Sequence, residues 1–281
     1  MSFKASFSIL RPVNCAMIGF AVIVGIFVSK PPTPHLESLV VGFVTGFAIC
    51  AYSMVINDYY DIEVDRVNQP SRPLPSGALS MKAALVLALA MLAIGVVASL
   101  VLLNLAAVGI VFLYAFLSWL YNFRAKKYGL SGNLIVASSL AIPFIYGGVV
   151  SGGSVTSSLL LFMAGTAFLS GVGREVVKAM ADTAGDEKRG IRSFARVHGM
   201  RSAATVGAGF FLLSVLSSLL PLLLVSVSVF YRFGVIVPDI AFVYLAYAIL
   251  HKPTAEGALK VKKQALLGML IGLIVFIGGA F

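Results

Sequence analysis

Apolar residues run through this chain in long unbroken blocks rather than in alternation. Measured against the roughly 20 residues an α-helix needs to cross a bilayer, the blocks predict helices over residues 11–29, 38–57, 81–103, 105–121, 132–151, 156–179, 200–219, 235–250 and 261–280. A further apolar piece from Leu222 to Phe230 is too short to span, and reads as a re-entrant segment or an extension of the seventh helix past Pro221. Transmembrane barrels alternate over segments of about ten residues. The blocks therefore exclude a barrel and predict an all-α bundle of nine transmembrane helices.

The polar interruptions test that count independently. Nineteen of the 21 Lys and Arg residues fall in the N-terminal segment, in the loops after the second, fourth, sixth and eighth helices, or at the adjoining helix ends; only Lys30 and Arg232 fall on the other side. Adding or removing one helix before the last loops would destroy this split. By the positive-inside rule, the N-terminus and the charged loops are expected in the cytoplasm and the C-terminus outside. Lys4 and Arg11 ahead of an apolar stretch also suggest a signal peptide, but no small-x-small pattern precedes Lys30, and Arg11-Pro12 marks a helix start.

Composition agrees with a multi-pass protein of a cell membrane: 59% of residues are hydrophobic, 11% are charged, and mean hydropathy is +1.00. The net charge of +10 does not point to nucleic acid, because the basic residues are spread over membrane loops. Anionic lipid headgroups and phosphorylated substrates are the expected partners. Cys15 and Cys50 sit inside apolar runs and predict no disulfide framework. His35, His198 and His251 fall in separate segments, and none is placed as a metal ligand.

Against this apolar background, two stretches hold eight of the eleven acidic residues. The first runs from Asn57 to Gly77, NDYYDIEVDRVNQPSRPLPSG. If the second helix continues through Asp65, then Asn57, Asp58, Asp61 and Asp65 share an arc of about 100°, and Glu63 points the other way. Converging carboxylates repel one another unless cations neutralise them, and hard oxygen donors suit Mg²⁺ shared with a phosphate substrate. The second stretch, Arg174 to Gly190, places Arg174, Lys178, Asp182 and Asp186 four residues apart on one helical face, provided the helix survives Gly185. Asp61 and Asp65 align with Asp182 and Asp186 at a separation of about 121 residues. One transmembrane domain over 1–281 is expected, with an element used twice, about 1–130 and 131–281. Gly42 with Gly46, and Gly268 with Gly272, are small-xxx-small pairs that imply close helix packing. A solvated acidic helix end and lysines that serve only topology are the competing readings of these stretches.

N-D-x-x-D-x-x-x-D at Asn57 to Asp65, R-P-L-P-S-G at Arg72 to Gly77, and D-x-x-x-D at Asp182 to Asp186 together resemble the UbiA superfamily of intramembrane prenyltransferases. L-R-P-x-N at Leu10 to Asn14 also fits. In many members a third motif reads Y-x-x-x-K; here Tyr121 is followed by Ala125 at the expected place and Lys126 one residue later. The resemblance implies a nine-helix central cavity and transfer of a polyprenyl group from its diphosphate, with Mg²⁺ as cofactor. Asn57, Asp61, Asp65, Asp182 and Asp186 are then the expected metal ligands, with Asp58 in the outer shell. The aspartates would be the catalytic groups.

The same resemblance makes Arg72, Lys126 and Lys178 the candidates for the diphosphate, and Arg174 or Arg66 for it or for an acceptor phosphate. Tyr121 and Asn14 complete the substrate set, although tyrosine at a membrane interface needs no such role. Within the superfamily, Gly173 to Asp186 and the Asn68 to Gly77 segment are most similar to archaeal enzymes that move a geranylgeranyl group onto the hydroxyl of geranylgeranylglyceryl phosphate. A lipid-phosphate acceptor requires extra cations, and Arg174, Lys178, Lys188, Arg189 and Arg192 are near enough in sequence to supply them. Aromatic acceptors such as 4-hydroxybenzoate, and haem, are the alternatives. A cation transporter is a remote one, since transporters carry charge at mid-membrane.

Overall fold

The computed structural model describes residues 3–30, 34–188 and 190–281, and among these there is no strand. The helices in chain order are α1 (Phe3–Leu10), α2 (Pro12–Val28), α3 (Leu36–Tyr60), α4 (Ile62–Asn68), α5 (Met81–Val101), α6 (Leu105–Phe123), α7 (Leu130–Ser151), α8 (Ser158–Ala181), α9 (Thr183–Lys188), α10 (Phe194–Leu219), α11 (Pro221–Leu224), α12 (Val229–Gly234), α13 (Ile236–His251) and α14 (Ala255–Gly278). Among the described residues, eight helical stretches are long and apolar enough to cross a membrane, and α1 with α2, bent by 45°, makes a ninth. The protein is a multi-pass membrane protein, and its outward surface carries the side chains that lipid requires. Val86, Leu89 and Val97 on α5, and Phe112 and Phe116 on α6, are all more than half exposed.

Side-chain caps set several boundaries. Ser80 accepts from the Ala83 N–H at 3.2 Å, Asn104 from Ala106 and Ala107 at 3.0 and 3.1 Å, and Thr254 from Gly257 at 3.1 Å, starting α5, α6 and α14. Two helices begin about one and a half turns before their apolar runs do. Helix α10 includes the basic segment from Phe194 and kinks at Gly199 (φ 84, ψ 163), while α14 opens with a charged turn of Glu256 and Lys260. Hydropathy marks where the bilayer starts; capping marks where the helix does. Past Pro221, α11 extends the span that α10 begins, which therefore runs from Phe194 to Leu224.

Consecutive long helices pack in the same order twice. Helices α2, α3, α5 and α6 form one set and α7, α8, α10 and α13 another; α14 closes against α13, α8 and α2. The sets meet where α2 crosses α7. A Cβ on Gly25 would collide with the Phe144 backbone and one on Gly147 with that of Val22, so neither position has room for a side chain. At the α2–α3 crossing Gly46 faces the Gly19 backbone, and on α14 Gly268 faces the ring of Phe242 on α13. Both small-residue pairs thus serve packing. Helix α5 contributes nothing to the central cavity, whose walls come from α2, α3, α6, α7, α8, α10, α13 and α14.

Candidate active site

Each acidic stretch sits where a membrane helix stops. Helix α3 ends at Tyr60, Asp61 takes φ −92, ψ 3, and α4 starts at the next residue. Helix α8 ends at Ala181, Asp182 takes φ −100, ψ 8, and α9 follows. The hydrogen bonds match as well: Asp61 N–H donates to Asn57 C=O and Asp182 N–H to Lys178 C=O, while Asp65 and Asp186 donate to the carbonyls of Asp61 and Asp182 at 2.8 and 2.9 Å. Unbroken helices through Asp65 and Asp186 are therefore corrected. Repelling carboxylates and the polar, helix-disfavouring aspartate itself favour a turn at these points. The break does not come at Gly185. Helices α4 and α9 pack on each other, which brings the two stretches together.

Cations close on the first stretch. Arg11 meets Asp58 at 2.5 Å, Arg72 meets Asp65 at 2.5 Å and Asp58 at 3.3 Å, and Lys126 meets Asp61 at 2.5 Å. Asp58 is buried between its two arginines and lies off the cavity. There it anchors Arg11 and Arg72. Arg66 is exposed on α4, pairs with Glu63 at 2.9 Å and does not line the cavity. Among the described residues, no three Asp, Glu, His or Cys side chains close on a common point. The motifs converge around cations and a phenol instead. Lys126 lies 6.0 Å from the centre of the Tyr121 ring and within electrostatic reach of Asp186 and Glu175. Tyr121 is within electrostatic reach of Glu175, Asp61, Asp186 and Asp182. The extra residue between Tyr121 and Lys126 is taken up by a 3₁₀ turn over Ala125–Tyr128.

Behind this charged layer lies a cavity of about 560 Å³. Asn14, Asn57, Arg72, Arg174, Lys178 and Asp182 line its polar end, and the remainder is mainly apolar, with Met17, Ile110, Phe144, Leu273 and Phe276 among its walls. Asn57 donates to Asn122 Oδ1 at 2.8 Å, and Asn122 in turn donates to Ser118 C=O at 2.9 Å, which fixes the Asn57 amide at the rim.

Four participants escaped the sequence reading. Asn122 is one, and carried no signal beyond its neighbour Tyr121. Arg11 is a second, held in a left-handed conformation (φ 51) unusual for a non-glycine residue. Strain of this kind gathers at functional sites, and its signal in the sequence was an Arg-Pro helix start. Glu175 is the third; it is buried and takes hydrogen bonds from Arg174 at 3.1 Å and Lys178 at 2.8 Å. Lys262, from α14, is the fourth, 3.6 Å from Asp182. Of the cations expected for an acceptor phosphate, Arg192 is exposed and off the cavity, while Arg189 and the Lys188 side chain lie outside the described residues.

Outside the spans, burial raises the pKa of the Asp65 carboxyl, with Arg72 pulling against the rise. Burial, with Asp182 adding to it, pushes Asp186 up to about 6. Carboxylates that are costly to ionise and sit beside other carboxylates fit a divalent cation, which would neutralise them with hard oxygen ligands.

A helical membrane protein with paired acid-rich helix breaks at the mouth of an apolar cavity belongs to the class of intramembrane enzymes that act on amphiphilic anions. The chain is a member of the UbiA prenyltransferase family, whose profile matches residues 18–279. It is 38% identical to the digeranylgeranylglyceryl phosphate synthase of Archaeoglobus fulgidus over 99% of this chain and 96% of that one. To the Methanocaldococcus jannaschii protein of the same name it is 36% identical, over 99% and 96%. Among solved structures, one described as digeranylgeranylglyceryl phosphate synthase in membranes superposes with a TM-score of 0.77 at 33% identity, covering 99% of this chain and 98% of that one. A UbiA homologue from Archaeoglobus fulgidus bound to GPP and Mg²⁺ shares the fold, with a TM-score of 0.69 at 18% identity over 97% and 99%.

Proposed function

We propose that this protein transfers a geranylgeranyl group from geranylgeranyl diphosphate to the free hydroxyl of geranylgeranylglyceryl phosphate, forming the second ether of an archaeal lipid. The observation that carries the reading is full-length similarity to proteins of that name, joined to a site with hard oxygen donors at the mouth of an apolar cavity. In the transfer, the C–O bond of the allylic diphosphate breaks and pyrophosphate leaves with the electron pair. The acceptor oxygen bonds to the freed carbon and gives up its proton.

Asp61, Asp65, Asp182 and Asp186, with Asn57, would hold Mg²⁺, which supplies Lewis-acid neutralisation of the leaving pyrophosphate. Arg72, which pairs with Asp65 and lines the cavity, and Lys126, which pairs with Asp61, can pass from carboxylate to diphosphate oxygen, and Lys178 lines the cavity from α8. The Tyr121 ring, buried under Lys126, offers its face to positive charge developing on the prenyl carbon. Asn14, on the α2 wall, shapes the rim beside Arg11. The apolar cavity accepts the tail and excludes water from a cation that water would quench.

Cytoplasmic placement of the charged mouth follows from the lysine and arginine distribution. We read the two helix sets, each broken after its second helix, as one unit used twice. An aromatic acceptor remains the second reading, because the same mouth and cavity would serve it.

Two results are expected. Pyrophosphate release by purified protein should require both Mg²⁺ and the glyceryl phosphate acceptor, and fall to background with EDTA; release unaffected by EDTA would contradict the metal assignment. The second concerns pH. A proton occupies Asp186 increasingly below about 6, and Mg²⁺ must displace it, so acid weakens metal binding. The Mg²⁺ concentration for half-maximal rate should rise roughly tenfold between pH 7 and pH 5. A flat profile would remove Asp186 from the ligand set.

A further inference from the structure

Of the three lysines that open α14, one alone is turned inward. Lys260 is exposed and pairs with Glu256 at 3.0 Å, and Lys263 is exposed, whereas the Lys262 side chain is only 20% exposed and lines the cavity. A lysine that serves topology alone works equally well in water, and drawing its ammonium inward carries a desolvation cost. At 3.6 Å, Asp182 is too far to give it a full hydrogen bond. Across the cavity, Arg174 spends one terminal nitrogen on Glu175 while its buried Nε has no partner. One donor facing this space is thus unpaired, and the other is held only by a long ion pair.

Charge points the same way. Around the first stretch, Arg11, Arg72 and Lys126 are matched by Asp58, Asp61 and Asp65. On the α8 and α14 side, Arg174 and Lys178 pair with Glu175 and Lys262 with Asp182, and Lys178 is also within electrostatic reach of Asp186. If Asp182 and Asp186 serve a metal and Glu175 offsets Lys178, the charges of Arg174 and Lys262 remain, matching a phosphate monoester of about −1.5 to −2 near neutral pH. Leu266, Met269, Leu273 and Phe276 follow Lys262 at helical spacing, and all line the cavity. A phosphate held at Lys262 would therefore lay an attached hydrocarbon tail along α14.

We propose that Lys262 and Arg174 form a second anion site, distinct from the diphosphate site, that binds the phosphate monoester of a lipid acceptor. This rests on the function proposed above and specifies which residues select the acceptor. The test compares geranylgeranylglyceryl phosphate with geranylgeranylglycerol, the same acceptor without its phosphate, at saturating geranylgeranyl diphosphate. Lys262→Met should lower kcat/KM for the phosphorylated acceptor about 30-fold, the loss of one charge-assisted contact, mainly through KM. The rate with the alcohol and the KM for the diphosphate should move far less than this, and Lys262→Arg should restore most of the loss. Lys260→Met and Lys263→Met should behave as wild type.

An equal loss on both acceptors, or a raised KM for the diphosphate, would overturn the second site while leaving the prenyltransferase reading intact. A wild-type enzyme that ignores the glyceryl phosphate and prenylates 4-hydroxybenzoate would overturn both. Inhibition of the wild-type protein gives an answer that needs no variant. A short-chain glyceryl phosphate should compete with the phosphorylated acceptor and not with geranylgeranyl diphosphate; competition with the diphosphate would refute a separate site.

Discussion

Asp61→Ala and Asp182→Ala should each cut Mg²⁺-dependent turnover by about 10³-fold or more, since preorganised charge at a leaving group is commonly the largest catalytic contribution. Both aspartates cap the same kind of helix break, and each meets a cation rather than another carboxylate. Either variant leaves the packing of the spans alone and should give folded, monodisperse protein in detergent. The pair separates chemistry from fold because Asp61 releases Lys126 and Asp182 releases Lys262, two cations on different helices. Near-normal turnover in either variant would remove that aspartate from the metal site.

Arg72→Met is expected to damage both stability and turnover. Arg72 ties Asp58 to Asp65, and its loss leaves Asp65, which is buried, without this ion pair. Breaking a buried pair costs about 3–5 kcal/mol, and the partial exposure of Arg72 reduces that to about 2 kcal/mol, visible as a lower melting temperature in detergent. Affinity for a diphosphate analogue should fall at least about tenfold. Pairing the change with Asp65→Asn should recover much of the stability and none of the activity, because it removes the uncompensated charge without restoring the contact to substrate. Full recovery of activity in the double variant would make Arg72 a purely structural residue and would also remove Asp65 from the metal site.

The spans were legible because a bilayer imposes one length on every crossing helix, and the acidic stretches because charge is scarce in such a chain. The breaks at Asp61 and Asp182 were not. Periodicity assumes a continuous helix, and the residue that looked like a breaker, Gly185, lies inside α9. Asp58 was grouped with its neighbours by spacing, yet its arginine partners come from 47 residues earlier and 14 later. Such partners cannot be found by reading one helix. Lys262 did carry a signal, its register with the apolar face of α14, but it was hidden among lysines that also satisfy the topology rule.

The central claim is prenyl transfer to a lipid phosphate at a Mg²⁺ site, and one competition tests it directly. Purified protein, Mg²⁺ and geranylgeranyl diphosphate are incubated with equal amounts of geranylgeranylglyceryl phosphate and 4-hydroxybenzoate, and the products are identified by mass. The account predicts a glyceryl phosphate carrying two geranylgeranyl groups, formed only with Mg²⁺, and no prenylated benzoate. Prenylated benzoate without the doubly prenylated lipid would contradict it.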